Sequence, residues 1–104
     1  MRRHSVRSEW IGSGITLNAL APGMIETPLT DESRTDPVKG PVFDKFPVPA
    51  GRLGRPEEVA ALVAFLLGPD ARFFCGSLIF CDGGSDALLR PDDWPTPATK
   101  SFLR

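Results

Sequence analysis

The chain has 104 residues, of which 41% are hydrophobic and 24% charged, and its formal net charge is -1. This composition is typical of an ordinary soluble globular protein and excludes a disordered or nucleic-acid-binding chain, since no basic face is present. The longest nearly uninterrupted apolar stretch, residues 59–67, is far shorter than the roughly 18–20 residues that cross a bilayer, which excludes a transmembrane protein.

Compartment and metal content are indicated by the N-terminal residues and the cysteines. Residues 1–7 are rich in arginine, but Glu9 follows and no apolar core is present, so a targeting peptide is not favoured. Cys75 and Cys81 are too far apart for a C-x-x-C pair, and no histidine lies near them. We expect both cysteines to be reduced, buried and inert, as in a cytoplasmic protein, and we expect no metal site.

The first third of the chain predicts a helix end followed by a strand. Helical spacing of apolar residues over residues 2–11 stops at glycines 12 and 14, which predicts the last turns of a glycine-closed helix. Residues 15–21 are nearly all apolar and are broken by Pro22-Gly23. This pattern favours a short strand buried on both faces of a parallel sheet.

The rest of the chain predicts a loop, a helix and a second strand. Residues 28–54 are polar and punctuated by proline and glycine, which indicates a long loop with at most short helical turns. Pro56 and two glutamates introduce a helix over Glu57–Leu67, which is apolar almost all round and therefore expected to be buried on more than one side. Residues 77–82 predict a strand, parallel to the first with a right-handed crossover.

Three segments in one order resemble the short-chain dehydrogenase/reductase family. Residues 14–23, GITLNALAPG, resemble its sixth strand and Asn-x-x-x-Pro-Gly turn. Residues 51–60, GRLGRPEEVA, resemble the lead into its penultimate helix, and residues 76–84 its seventh strand with the closing Asp-Gly-Gly. The ending at residues 82–91 is similar to the bacterial 3-alpha-hydroxysteroid dehydrogenase/carbonyl reductase branch of the family.

The resemblance implies an α/β fold, the C-terminal part of a Rossmann-like, doubly wound parallel sheet built as strand, lid loop, helix and strand. Residues 1–91 would form this part of the domain and residues 92–104 an extended tail. In the family the penultimate helix and last strand commonly meet a second subunit. The resemblance therefore also implies a homo-oligomer formed through Glu57–Leu67 and the last strand.

The turn after the first strand is the candidate cofactor site. Ligands of open α/β sheets bind outside the carboxyl ends of the strands, where this turn lies. The resemblance implies that Pro22, Gly23, Ile25 and Thr27 hold the nicotinamide of NAD or NADP, through backbone at Gly23 and Ile25 and through side chain and backbone at Thr27. The alternative from the residues themselves is a simple chain reversal followed by a helix cap at Thr27.

The polar stretch after the turn corresponds to the substrate lid of the family. Leu29, Phe43 and Phe46 are its apolar members, and they suit a hydrophobic small-molecule substrate such as a steroid or an aromatic ketone. The equally weighted alternative is that these three side chains attach the loop to the core.

The family's chemistry uses a tyrosine whose pKa is lowered by a nearby lysine, and this chain contains no tyrosine. We therefore expect the C-terminal fragment of an NAD(P)-dependent oxidoreductase acting on the CH-OH group of alcohols or on ketones, with no catalytic residue of its own. Two strands and one crossover helix leave sheet faces uncovered, so we expect the chain alone to be inactive, and either poorly folded or folded only in association with another chain. The alternative is a non-catalytic oligomerisation or interaction module.

Overall fold

The computed structural model describes residues 1–90, so the predicted tail at residues 92–104 lies outside the described residues. Two strands, five short helices and two 3-10 turns make up this part of the chain. In order they are α1 (Arg2–Ser5), a 3-10 turn (Ile11–Ser13), β1 (Ala19–Pro22), α2 (Pro28–Thr35), α3 (Lys39–Lys45), α4 (Pro56–Leu67), a 3-10 turn (Pro69–Ala71), β2 (Leu78–Cys81) and α5 (Ser85–Leu89).

The two strands form a parallel pair, as the sequence predicts. Ala19 lies opposite Leu78 and Pro22 opposite Cys81, and α4 lies between the strands along the chain. Beyond the strand ends a second parallel contact, an isolated bridge, joins Ile25 to Gly54. The carboxyl end of β1 is therefore held from two sides.

An asparagine side chain fastens the start of β1 to the segment before β2. The Asn18 Oδ1 atom accepts a hydrogen bond from the Ser77 amide at 3.0 Å, and Asn18 Nδ2 donates to the Phe74 carbonyl at 3.0 Å. Because the side chain stands in for backbone here, the ladder begins at Ala19 and the strand is shorter than the predicted 15–21.

The predicted helix over residues 2–11 is too long. Helix α1 ends at Ser5, whose hydroxyl donates to the carbonyl of Arg2 and whose side chain is fully buried against Gly76. A separate 3-10 turn follows and ends at Gly14, which has the left-handed φ of 79° that glycine tolerates. The expected closure by a glycine is thus correct, but it terminates a different element.

The prediction of a loop over residues 28–54 is wrong, because the stretch contains α2 and α3. Two of its prolines, Pro28 at the first position of α2 and Pro41 in the first turn of α3, lie where helical amides have no intrahelical acceptor and proline is tolerated. Asp36 begins α3 by accepting hydrogen bonds from the amides of Val38 and Lys39, which lower the pKa of its carboxyl group.

Helix α4 confirms the predicted element, starting one residue earlier, at Pro56. Glu58 caps the start of the helix by accepting a hydrogen bond from the Arg55 amide at 2.9 Å, the glutamate half of a capping box. No residue of α4 is buried, so the neighbours expected on more than one side are not supplied by residues 1–90.

Burial is sparse throughout the described part of the chain. Ala71 is the one fully buried apolar side chain among residues 1–90. Cys75 and Cys81 are both free and half-buried, so the expectation that they are buried is wrong. In this part of the chain no helix combines the length and apolar character that a bilayer crossing requires.

Candidate functional site

The Pro22-Gly23 turn lies at the carboxyl end of β1, directly against the end of β2. The Gly23 amide donates to the Cys81 carbonyl at 3.0 Å. A Cβ atom at position 23 would lie 2.6 Å from the Cβ and 2.7 Å from the Cα of Asp82, so only glycine allows this approach. In this structure the close backbone approach of Gly23 is to Asp82.

Thr27 lies at the start of α2 and caps it, which is the alternative role that the sequence left open. Its Oγ1 atom accepts a hydrogen bond from the Thr30 amide at 3.1 Å. The Thr30 hydroxyl donates to the Ile25 carbonyl at 2.6 Å, so the proton between Oγ1 of Thr27 and Oγ1 of Thr30, 2.9 Å apart, belongs to Thr27. One lone pair of the Thr27 hydroxyl remains available to a donor.

Ile25 connects this cap to the rest of the site. In the bridge to Gly54, the neighbours of Ile25 make the backbone hydrogen bonds: the Gly54 amide donates to Met24 and the Glu26 amide to Gly54. The Ile25 amide therefore points the other way, and within residues 1–90 it has no acceptor. An unpaired amide and an open lone pair on Thr27 lie two residues apart at the end of β1.

Asp82 organises the other wall of the site. Its Oδ1 atom accepts a hydrogen bond from the Gly84 amide at 3.0 Å and its Oδ2 atom accepts one from the Asp86 amide at 2.8 Å. Gly83 and Gly84 have positive φ values of 67° and 100° and turn the chain into α5. The Asp-Gly-Gly sequence is thus a structural turn that holds α5 beside the Pro22-Gly23 turn.

Two cavities meet at this turn, and they share two side chains. A turn cavity of about 360 Å³ lies beside Pro22 and Gly23, and a helix cavity of about 350 Å³ lies under α2 and α3. Met24 and Phe46 line both. Sequence reasoning missed Met24, whose position between Gly23 and Ile25 was the available signal.

The three predicted lid residues separate into two groups. Phe43 and Phe46 line the helix cavity with Val38 and Val42, so both face the candidate site. Leu29 is 72% exposed on α2 and lines neither the turn cavity nor the helix cavity. The structure therefore brings Phe46 to both cavities and Phe43 to the helix cavity alone, and leaves Leu29 outside both.

An ion pair lies behind the turn. Arg52 donates from both terminal nitrogens to Glu58, at 2.7 and 2.9 Å. These bonds, together with the one from the Arg55 amide, lower the pKa of Glu58 to about 2. The pair fixes residue 52 against α4, two residues before the Gly54 bridge.

No cluster of metal-ligating side chains occurs within residues 1–90.

A family model described as enoyl-(acyl carrier protein) reductase matches residues 3–86. The chain belongs to the short-chain dehydrogenase/reductase family. The chain is similar to a 3-alpha-hydroxysteroid dehydrogenase/carbonyl reductase of Comamonas testosteroni. The two are 44% identical over 82 residues, which cover 79% of this chain and 32% of that protein.

Solved structures of dehydrogenases are similar to this chain in fold. A 3-alpha-hydroxysteroid dehydrogenase from Pseudomonas sp. B-0831, complexed with NADH, is 50% identical with a TM-score of 0.76, covering 86% of this chain and 34% of that one. A putative 2-deoxy-d-gluconate 3-dehydrogenase from Agrobacterium tumefaciens with bound NADP is 38% identical, with a TM-score of 0.66 and coverages of 77% and 32%.

The chain thus spans about a third of the length of these relatives. The resemblance to the family predicted from the three sequence segments is confirmed, as is the Rossmann-like α/β class.

Proposed function

We propose that this chain supplies the nicotinamide side of the cofactor cleft and the substrate-covering segment of an NAD(P)-dependent oxidoreductase that interconverts alcohols and ketones. The observation that carries the proposal is the unpaired Ile25 amide beside the open lone pair of Thr27, at the carboxyl end of β1. A nicotinamide carboxamide has one carbonyl acceptor and one NH₂ donor, which match these two groups.

The cofactor-binding residues have distinct roles in this proposal. Pro22 and Gly23 bring the backbone against Asp82 and so form one wall of the site. The Ile25 amide donates to the carboxamide carbonyl of the nicotinamide, and the Thr27 hydroxyl accepts from the carboxamide NH₂ group. The cofactor supplies the hydride when bound. This chain's own residues orient the nicotinamide and exclude water with Met24, Phe43 and Phe46.

The substrate in this proposal is a small, apolar ketone or secondary alcohol. The helix cavity supports this, because valines, phenylalanines and a methionine dominate its lining. With no tyrosine among the 104 residues, the proton-transfer residues of the family must come from outside this sequence. The chain alone is therefore inactive in this proposal.

A chimera tests the proposed function. Residues 14–90 of this chain replace the matching segment of the Comamonas testosteroni relative, and reduction of an apolar ketone is followed with NADH and with NADPH. We expect turnover with at least one cofactor, and Thr27→Val in the chimera should raise the KM for that cofactor about tenfold, the effect of losing one good hydrogen bond.

Two results would contradict the proposal. One is an unchanged cofactor KM in the Thr27→Val chimera, with Thr35→Val as the matched control on the exposed face of α2. The other is hydride transfer by the 104-residue chain without the relative's residues.

Assembly with a second copy is part of the same proposal. Phe65 and Leu67 of α4 are 42% and 83% exposed, and Leu78 and Phe80 of β2 are 49% and 40% exposed. Side chains of this size on one helix and one strand form an apolar surface that association would cover. We propose that this surface meets a second subunit.

A further inference from the structure

The segment that returns from α3 to the sheet is poor in backbone donors. Pro47, Val48, Pro49 and Ala50 form this root segment, and its two prolines carry no amide hydrogen. The Ala50 amide donates to the Gly83 carbonyl at 2.9 Å. Only the Val48 and Ala50 amides can donate from this segment, so its carbonyls are the other backbone groups through which it can be held.

Ser85 donates to one of these carbonyls. Its Oγ atom lies 2.8 Å from the Pro47 carbonyl oxygen and 3.2 Å from the carbonyl oxygen of Asp82. A hydroxyl has one proton, and the shorter distance assigns it to Pro47, 38 residues away along the chain. Ser85 is 4% exposed, so water does not compete for this bond.

The bond acts on the site through the residue next to Pro47. Phe46 directly precedes the root segment and lines both the turn cavity and the helix cavity with Met24. The two residues before Ser85 pack closely on the root segment: an added Cβ at Gly83 would lie 2.9 Å from Cγ1 of Val48, and one at Gly84 would lie 3.2 Å from Cβ of Pro49. This close packing brings Ser85 within reach of the root segment. The Ser85 hydrogen bond therefore holds the residue that directly follows Phe46.

We propose that Ser85 is a positioning residue that holds the root of the α2–α3 segment and thereby places Phe46 against Met24 at the proposed cofactor and substrate site. The inference rests on the proposed function only in that it takes this site to bind the cofactor and the substrate. The bond itself is tested without cofactor, substrate or turnover, so its failure is distinguishable from that of the proposed function.

The test is amide hydrogen exchange on the full 104-residue chain, comparing the unaltered protein with Ser85→Ala. The Ala50 and Phe46 amides report on the root, the Gly23 amide on the sheet and the Leu88 amide on α5. We expect exchange at Ala50 and Phe46 to rise roughly fivefold to tenfold, as for loss of one buried hydrogen bond, with Gly23 and Leu88 within twofold of their original rates.

Two further variants separate positioning from general stability. Ser85→Thr retains the hydroxyl and should restore slow exchange at Ala50. Ser13→Ala removes an exposed hydroxyl that donates to the Glu9 carbonyl and should leave all four amides unchanged.

Three results would overturn the proposal. They are an equal rise at all four amides in Ser85→Ala, a rise confined to Leu88, and exchange at Ala50 in the unaltered chain that is already as fast as in a free peptide. Exchange at Ala50 that is as fast in Ser85→Thr as in Ser85→Ala would also contradict a role of the hydroxyl group.

Discussion

At the residue scale, the turn is defined by contacts that leave no room for larger side chains. Gly23 faces Asp82 and Gly54 faces Ile25, whose Cδ1 atom would lie 2.7 Å from an added Cβ. The two positions differ in what would have to move, because Asp82 presents backbone while Ile25 presents the end of a flexible side chain. Gly23 is therefore the less tolerant position.

The first prediction concerns Gly23→Ala. The added Cβ would clash with the Cα of Asp82, so we expect the free energy of unfolding to fall by about 1–3 kcal/mol, the usual cost of overpacking. Gly12→Ala is the matched control, since its Cβ would lie 3.5 Å from Ser8 Cβ, an ordinary contact. Urea unfolding followed by circular dichroism measures both, and equal midpoints for the two variants would contradict the packing argument.

The second prediction concerns the pH dependence of Glu58. Its pKa is lowered from 4.5 to about 2 by Arg52 and the Arg55 amide, so the pair stabilises the folded chain above about pH 4.5. This contribution is lost as the pH falls from about 4.5 towards 2. Urea midpoints between pH 6 and pH 2 should show that loss in the unaltered chain and a flatter dependence in Glu58→Gln.

The control for this ion pair is Glu57→Gln, which changes the neighbouring carboxylate on α4 and should keep the original pH dependence. Because Arg52 and Glu58 are 54% and 35% exposed, added salt should weaken the effect. The same pH dependence in Glu58→Gln as in the unaltered chain would show that other carboxylates carry it.

At the element scale, side chains rather than long ladders connect the short strands and helices. Asn18 joins β1 to the approach of β2, Thr27 caps α2, and Asp82 joins β2 to α5. Each uses a short polar side chain in place of backbone, which is common where elements are only four to eight residues long. Removing one such side chain should therefore affect two elements at once.

The third prediction tests this at Asn18. Asn18→Asp keeps the acceptor for the Ser77 amide but loses the donor to the Phe74 carbonyl and places a charge beside that oxygen. We expect a loss of about 1–2 kcal/mol in the free energy of unfolding, together with faster exchange of the Ala19 amide. Thr35→Ala, which removes an exposed bond within α2, should change neither measurement. An unchanged exchange rate of the Ala19 amide in Asn18→Asp would show that the two Asn18 side-chain hydrogen bonds do not hold β1.

Several elements were predictable because their signals are local. Helix α4 follows from Pro56, the two glutamates and the apolar run, and the parallel pair follows from two apolar runs on either side of it. Prolines also hide α2 and α3 from a reading of the sequence, because a proline in the first turn costs no intrahelical hydrogen bond but elsewhere ends a helix. The early end of α1 was missed because it depends on burial of Ser5 against Gly76, 71 residues away.

At the scale of the whole molecule, the described chain has apolar surface and almost no core. Phe73 and Leu67 are 103% and 83% exposed, while Ala71 is the one apolar side chain fully buried within residues 1–90. A chain of this length would ordinarily bury well over half of the surface that it exposes when unfolded. We therefore expect this surface to be covered by additional polypeptide.

The fourth prediction is that the 104-residue chain associates in solution. Sedimentation velocity should show a dimer or larger species, and Leu67→Lys should shift the population towards monomer because it charges the α4 surface. Leu29→Lys is the matched control, since Leu29 is 72% exposed on α2, away from α4 and β2. A well-folded monomer, or equal effects of the two variants, would contradict association through α4.

The sequence by itself determined the family, the existence of the two strands, α4 and the position of the Pro-Gly turn, because each depends on residues that are neighbours along the chain. Only the tertiary structure decided that Gly23 meets Asp82, that Ile25 keeps a free amide, that Met24 and Phe46 share two cavities and that Ser85 reaches Pro47. The three pairs, Gly23 with Asp82, Met24 with Phe46 and Ser85 with Pro47, lie 22 to 59 positions apart, and no local pattern encodes which pairs the fold brings together.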